Sequence, residues 1–255
     1  MKRFLRPTNE GHGPKAQFID PLSLANLQLY MRSDQATGTN GNPVVTWPDL
    51  SSHARNGFFP FARPVLRTTG LNTSVNGTQT VEWAAAGQTM ECLFPATAIP
   101  ATNGWTFFCY YKQITQVSVN QFLFADTVGN GVEAVVTADP GFWGGTYQIG
   151  HYGFNSGGRK GFNELSTLGW HTFALVLTPP ASGVGTAQAF VDDVPLTPTY
   201  TNWNTALEDD FWIGNSAAAN ARLEGAMGAL MVYSQAYSAS TLAGLRRFIR
   251  RFFEQ

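Results

Sequence analysis

The chain has 255 residues, 44% of them hydrophobic and only 13% charged, which supplies a large core and excludes a disordered, self-repelling chain. The formal net charge is −1, but Lys2, Arg3, Arg6 and Lys15 against Glu10 give the first fifteen residues +3. Arg246, Arg247, Arg250 and Arg251 against Glu254 give the last ten residues another +3, leaving −7 between the two ends. Basic ends on an acidic body predict termini that dock on a partner or back on the body, and no nucleic-acid-binding face.

Residues 1–17, punctuated by Pro7, Gly11, Gly13 and Pro14, carry no periodicity and read as an extended arm. The arm has basic residues but no apolar stretch of the signal-peptide kind, and the chain contains no apolar run long enough to cross a bilayer. Synthesis in the cytoplasm without membrane insertion is the resulting expectation. From residue 18 onward a single β-sandwich domain is expected, continuing to residue 255. "LQLYMRS", starting at Leu27, alternates apolar and polar residues with the period of a half-buried strand. Further strands are expected at "VVTW", "NGFFPF", "QTVEW", "TMECLF", "WTFFCYYKQI", "QFLFAD", "GVEAVVTA", "TYQIGHYG", "WHTFALVLT", "TAQAFVDDVPL", "DFWIGN" and "EGAMGALMVYS". Turn residues separate these runs at short, regular spacing, and no strand–helix alternation occurs, so the pattern is an antiparallel all-β sandwich and excludes a doubly wound or barrel α/β fold.

Between these strands, "NTSVNGT" holds two glycosylation sequons, at Asn72 and Asn76, and reads as a turn. Cys92 and Cys109 stand alone within apolar runs, the setting of small buried hydrophobes. At the C-terminus, Leu242, Leu245, Phe248, Ile249, Phe252 and Phe253 recur at three-to-four spacing with arginines on the other side. This predicts an amphipathic helix over 238–253, N-capped by Ser238 or Ser240 and lying flat on the sandwich.

The stretch "GFWGGTYQIGHYGFNSGGRKGF", residues 141–162, concentrates aromatics among glycines. Its residues 146–153 read as a strand, and "NSGGRKG" as the turn after it, with Arg159 and Lys160 at the tip. Aromatic faces stack on the apolar faces of sugar rings while Asn and Arg bond the hydroxyls. The candidate ligand-binding residues are therefore Trp143, Tyr152, Arg159, Lys160 and Asn163, with Trp203 and Asn204 of "TNWNTA" as a second group.

Taken in order, "FIDPLSLANLQLYMRSD", "VVTWPDLSSHARNGF", "GWHTFALVLT", "AQAFVDDVPL", "FWIGN" and "LEGAMGALMVYSQAYSASTLAGLRRFI" resemble the laminin-G-like branch of the concanavalin A-like lectin/glucanase superfamily. The resemblance runs from about Phe18 to the end. It implies a two-sheet antiparallel jelly roll of the kind found in phage virion proteins, as capsid decorations or fibre components. In "AFVDDVPL" the turn would fall at Asp192 and Asp193, looser than a type I′ turn because Asp193 stands where relatives commonly have glycine.

The resemblance also names chemistry to check. Glucanases of this broad fold carry Glu-x-Asp-x-x-Glu, and here Glu208, Asp210 and Ile213 occupy those positions. A retaining mechanism needs a second carboxyl about 5 Å from the first to protonate the leaving group, and isoleucine has none, so no enzymatic activity is expected. Nor do His12, His53, His151 and His171 form a metal or nucleophile motif. No cofactor is expected. Calcium is the one ion the resemblance suggests, with Asp192, Asp193, Asp209 and Asp210 as oxygen donors.

Two functions follow as expectations. The first is a structural virion protein, likewise homo-oligomeric, that joins capsid or tail proteins through its arm, with Lys2, Arg3, Phe4, Arg6, Arg246, Arg247, Arg250 and Arg251 as assembly contacts. The second is a carbohydrate-binding adhesion module that recognises host-surface glycans.

Overall fold

The computed structural model describes residues 18–85, 87–94, 103–115, 121–126, 132–137, 148–153, 158–165, 167–179, 185–197, 199–203, 210–215 and 223–255. The expected arm, including Lys2, Arg3, Phe4 and Arg6, lies outside the described residues, as do Trp143, Asn204 and Asp209.

In chain order the strands are β1 (Leu27–Arg32), β2 (Val65–Arg67), β3 (Thr80–Trp83), β4 (Met90–Leu93) and β5 (Trp105–Gln113). Next come β6 (Gln121–Asp126), β7 (Val132–Thr137), β8 (Gln148–Gly153), β9 (Gly158–Leu165) and β10 (Gly169–Thr178). The series ends with β11 (Gly185–Val191), β12 (Val194–Pro195), β13 (Tyr200–Trp203), β14 (Asp210–Ile213) and β15 (Gly225–Tyr233), followed by one helix, α1 (Ala239–Phe253). They form two antiparallel sheets. The larger runs β12-β11-β10-β5-β15-β3-β2, with β1 also on β15 and β13 also on β11; the smaller runs β4-β14-β6-β7-β8-β9. This is the expected sandwich.

Its core explains the sequence "WTFFCYYKQ". In β5, Trp105, Phe107, Cys109 and Tyr111 enter the core between the two sheets, where they meet Met90, Cys92, Phe124, Phe211 and Ile213 of the smaller sheet. The alternate residues Phe108 and Tyr110 face the other way and are buried just as fully, against Leu242, Leu245, Ile249 and Phe253 of α1. A strand covered on both faces loses the apolar/polar alternation and reads as a continuous apolar run. Layer order is thus small sheet, large sheet, helix.

The helix is seated by specific devices. Ser238 caps its start by accepting from Thr241 N–H at 3.3 Å. At its other end, Asn76 donates its backbone N–H to Phe253 O (3.1 Å) and its side-chain amide to Phe252 O (2.9 Å). The turn expected at "NTSVNGT" therefore supplies partners to the last carbonyls, which have none within a helix. Pairing of β15 with β5 slips between Met227 and Ala229, leaving Gly228 as a bulge. A Cβ there would stand 2.7 Å from the Tyr110 ring and 3.2 Å from that of Phe253, so only glycine lets the helix come this close.

Three expectations differ from the structure. "VVTW" and "NGFFPF" are irregular segments held by isolated bridges, Thr37 to Thr46, Trp47 to Gly57 and Phe58 to Glu91. Pro48, Pro60 and Pro64 break up their donor series, which a strand ladder needs. Arg159 and Lys160 lie inside β9 rather than at a turn tip. The hairpin at Asp192 and Asp193 is tight: both residues have positive φ (49° and 70°), the sign pair of a type I′ turn, and Val191 pairs with Val194 across it. Cys92 and Cys109 are both free and fully buried, and burial pushes both thiols well above their ordinary pKa.

Ile249 is fully buried between α1 and the large sheet. Ile249→Ala is expected to destabilise the protein by about 2–5 kcal/mol. Urea denaturation followed by circular dichroism measures this, and a loss below about 1 kcal/mol would show that the helix is not part of the cooperative core.

Candidate functional site

With the large sheet covered on both sides, the outer face of the smaller sheet remains as the candidate face, and its described positions Glu91, Trp212 and Ala125 are buried. Strand β14 sets its orientation. Phe211 and Ile213 are fully buried in the core, so Trp212 between them belongs to the opposite face. The register then defines one transverse series of paired positions. Glu91 pairs with Trp212, Trp212 with Ala125, Ala125 with Glu133, Glu133 with Tyr152, and Tyr152 with Arg159. Five strand spacings of about 4.8 Å make this row roughly 24 Å long.

The β4 end of the row has a raised rim. Phe61, 56% exposed, stacks on Trp212 with ring centroids 6.0 Å apart and planes at 23°. Leu93 and Phe58 are also exposed there, at 55% and 38%. Trp212 itself is only 7% exposed, and Glu91 5%.

Register sorts the residues that the sequence nominated. Tyr152 and Arg159 are paired across the β8–β9 hairpin. Lys160 pairs with His151, which continues the neighbouring series of pairs through Ala134, Phe124 and Ile213. Asn163 lies in β9, in the register shift between the pairs Gly150–Gly161 and Gln148–Leu165. Trp203 is on β13 of the other sheet, opposite Gly185, so the second group does not join the first. Trp212, Phe61 and Glu91 were not anticipated. For Trp212 a signal existed, since "DFWI" alternates with phenylalanine and isoleucine inward.

The carboxylates suggested for calcium have other partners. Asp192 accepts from Thr172 N–H (3.0 Å) and Thr172 Oγ1 (3.1 Å), and its Oδ2 lies 2.8 Å from His171 Nδ1. Arg246 donates to Asp192 O (2.8 Å) and to Asp193 Oδ2 (2.9 Å). Through these contacts the turn fastens α1 to the β11–β12 hairpin. Asp210 begins β14. Among the described residues, no three His, Cys, Asp or Glu side chains gather as metal ligands.

The helix arginines are likewise engaged within the chain. Arg250 pairs with Glu254, and Arg251 lies 5.2 Å over the Phe18 ring. Arg246 pairs with Asp193, and Arg247 lines a surface hollow with Phe18, Arg250, Glu254 and Gln255. Where a glucanase would place its proton donor, Ile213 is sealed in the core. Another carboxylate pair, Glu82 and Glu224, borders a hollow of about 170 Å³, but Glu82 is held by Arg67 and Asn72 and Glu224 by Thr115.

No family model matches the chain, and no curated protein matches it. Several solved structures share its fold. One is Trypanosoma rangeli sialidase, at 14% identity and a TM-score of 0.55 over 91% of this chain and 34% of that one. A second is domain 4 of an extracellular arabinanase from Geobacillus stearothermophilus, solved in complex with arabinotriose, at 11% identity and a TM-score of 0.54 over 85% and 96%. A third is the receptor binding domain of botulinum neurotoxin D, at 10% identity and a TM-score of 0.55 over 88% and 54%. The chain thus spans about a third of the sialidase and nearly the whole of the arabinanase domain. At such identities the likeness establishes a β-sandwich fold.

The His171 contact carries a pH signature. Its hydrogen bond with Asp192 raises the imidazole pKa, against the opposing effect of burial. A raised pKa in the folded state gives stability that is complete below the unfolded value near 6.5 and is lost as pH rises through the folded value. Burial opposes ionisation of Asp192, yet bonds from His171 and Thr172 and the charge of Arg246 bring its pKa below the ordinary value. Its share of the stability therefore persists across neutral pH and is lost only in acid. His171→Gln is expected to lower the melting temperature more at about pH 5.5 than at about pH 9. Equal losses at both values would contradict the charged contact.

Proposed function

We propose that the protein is a non-catalytic, carbohydrate-binding β-sandwich module that holds an extended glycan across the outer face of its smaller sheet. One observation supports this reading: strand register sets positions 91, 212, 133, 152 and 159, from five strands of the smaller sheet, in one transverse series of pairs. Aromatic rings stack on the apolar faces of sugars, and carboxylates and guanidinium exchange hydrogen bonds with their hydroxyls. A row of roughly 24 Å suits an oligosaccharide rather than one sugar. The folds shared with an arabinanase domain solved with arabinotriose and with a neurotoxin receptor-binding domain support a binding role.

Carriage on a phage particle, with residues 1–17 joining other virion proteins and the sheet face meeting host-surface glycans, remains the setting suggested by the sequence resemblance. It rests on that resemblance alone. The glycan reading is tested on a printed oligosaccharide array with the wild type and Tyr152→Ala, whose melting temperature is expected to match the wild type. The substitution is expected to weaken retention roughly tenfold, about 1.4 kcal/mol. Undiminished retention by Tyr152→Ala would place the ligand elsewhere.

A further inference from the structure

The one described tryptophan of the outer row is covered by another aromatic side chain of the same protein. Trp212 is 7% exposed and its indole lies under the Phe61 ring. Its Nε1–H is buried and has no hydrogen-bond partner among the described residues. A buried donor without an acceptor is a standing penalty, which a ligand oxygen reaching it would remove.

The cover is weakly attached. Phe58 exchanges two backbone hydrogen bonds with Glu91, both 2.9 Å, and Ala62 O accepts from Thr89 N–H at 2.9 Å. Between these anchors, residues 59–61 make no backbone hydrogen bond among the described residues, and Pro60 has no N–H to give. Phe61 is 56% exposed, so its ring leaves Trp212 by a side-chain rotation with little loss of burial. Movement of that ring would expose an indole face beside Glu91, its partner in register.

We infer that Trp212 is a stacking subsite for a sugar ring, occupied in the free protein by Phe61, which the incoming ring displaces. The apolar face of the sugar takes the place of the phenyl ring, and a ring or hydroxyl oxygen accepts from Nε1–H. This rests on the carbohydrate reading above. Phe61 then competes with ligand: affinity is reduced by the fraction of molecules in which the indole is covered, and removing the cover restores it.

The test uses the full chain as wild type, Phe61→Ala, Trp212→Phe and the double variant. Acrylamide quenching of tryptophan fluorescence without ligand is expected to rise in Phe61→Ala and to return to the wild-type value in the double variant. On an array printed with arabino-, cello- and sialyl-oligosaccharides, Phe61→Ala is expected to bind severalfold more tightly than the wild type. Trp212→Phe is expected to remove that gain. Binding by the wild type with no gain in Phe61→Ala would overturn the subsite and leave the sheet-face reading standing, as would quenching that does not change. Failure of both wild type and Phe61→Ala to retain any sugar on the array would overturn both.

Discussion

Burial of the large sheet on both faces organises this molecule. Strands β5 and β15 send one set of side chains into the sandwich and the alternate set beneath α1, and β15 is buried along its whole length. The helix therefore does what a third layer does in other folds: it covers a sheet face that would otherwise present Phe108, Tyr110, Met231 and Tyr233 to water. Once that face is closed, the outer side of the smaller sheet is the sheet face on which the proposed ligand would have to bind.

Polar contacts around the helix serve this arrangement. Arg246 reaches the β11–β12 turn, Asn76 supplies the last carbonyls, and His171 holds Asp192 in place from β10. Asp192, Asp193 and Arg246, which the sequence offered for calcium binding or assembly, join the third layer to the large sheet. A charge pattern alone does not distinguish a cation waiting for a partner from one already paired across a turn fifty residues away.

Much of the fold was legible in the sequence. Period-two alternation and glycine-rich turns located most strands, and the three-to-four spacing after Ser238 located the helix to within a residue. The failures have physical causes. Prolines at 48, 60 and 64 left apolar segments without a ladder, and Gly158, the sort of residue that signals a turn, instead opens β9. The site was less legible than the fold. Its row joins residues 91, 125, 133, 152, 159 and 212 through strand register, a relation with no period along the chain. Tyr152 and Arg159 could be nominated together because they fall in one hairpin, whereas placing Trp212 needed the pairing of β14 with β4 and β6.

The claim that a ligand occupies the outer face of the smaller sheet is tested most directly by hydrogen–deuterium exchange of the full chain, free and saturated with an oligosaccharide it retains. Protection gained in β14, β8 and β9 and in residues 58–62, with α1 unchanged, is the expected result. Protection concentrated on α1 and the β11–β12 hairpin would contradict it and move the binding surface to the helix side.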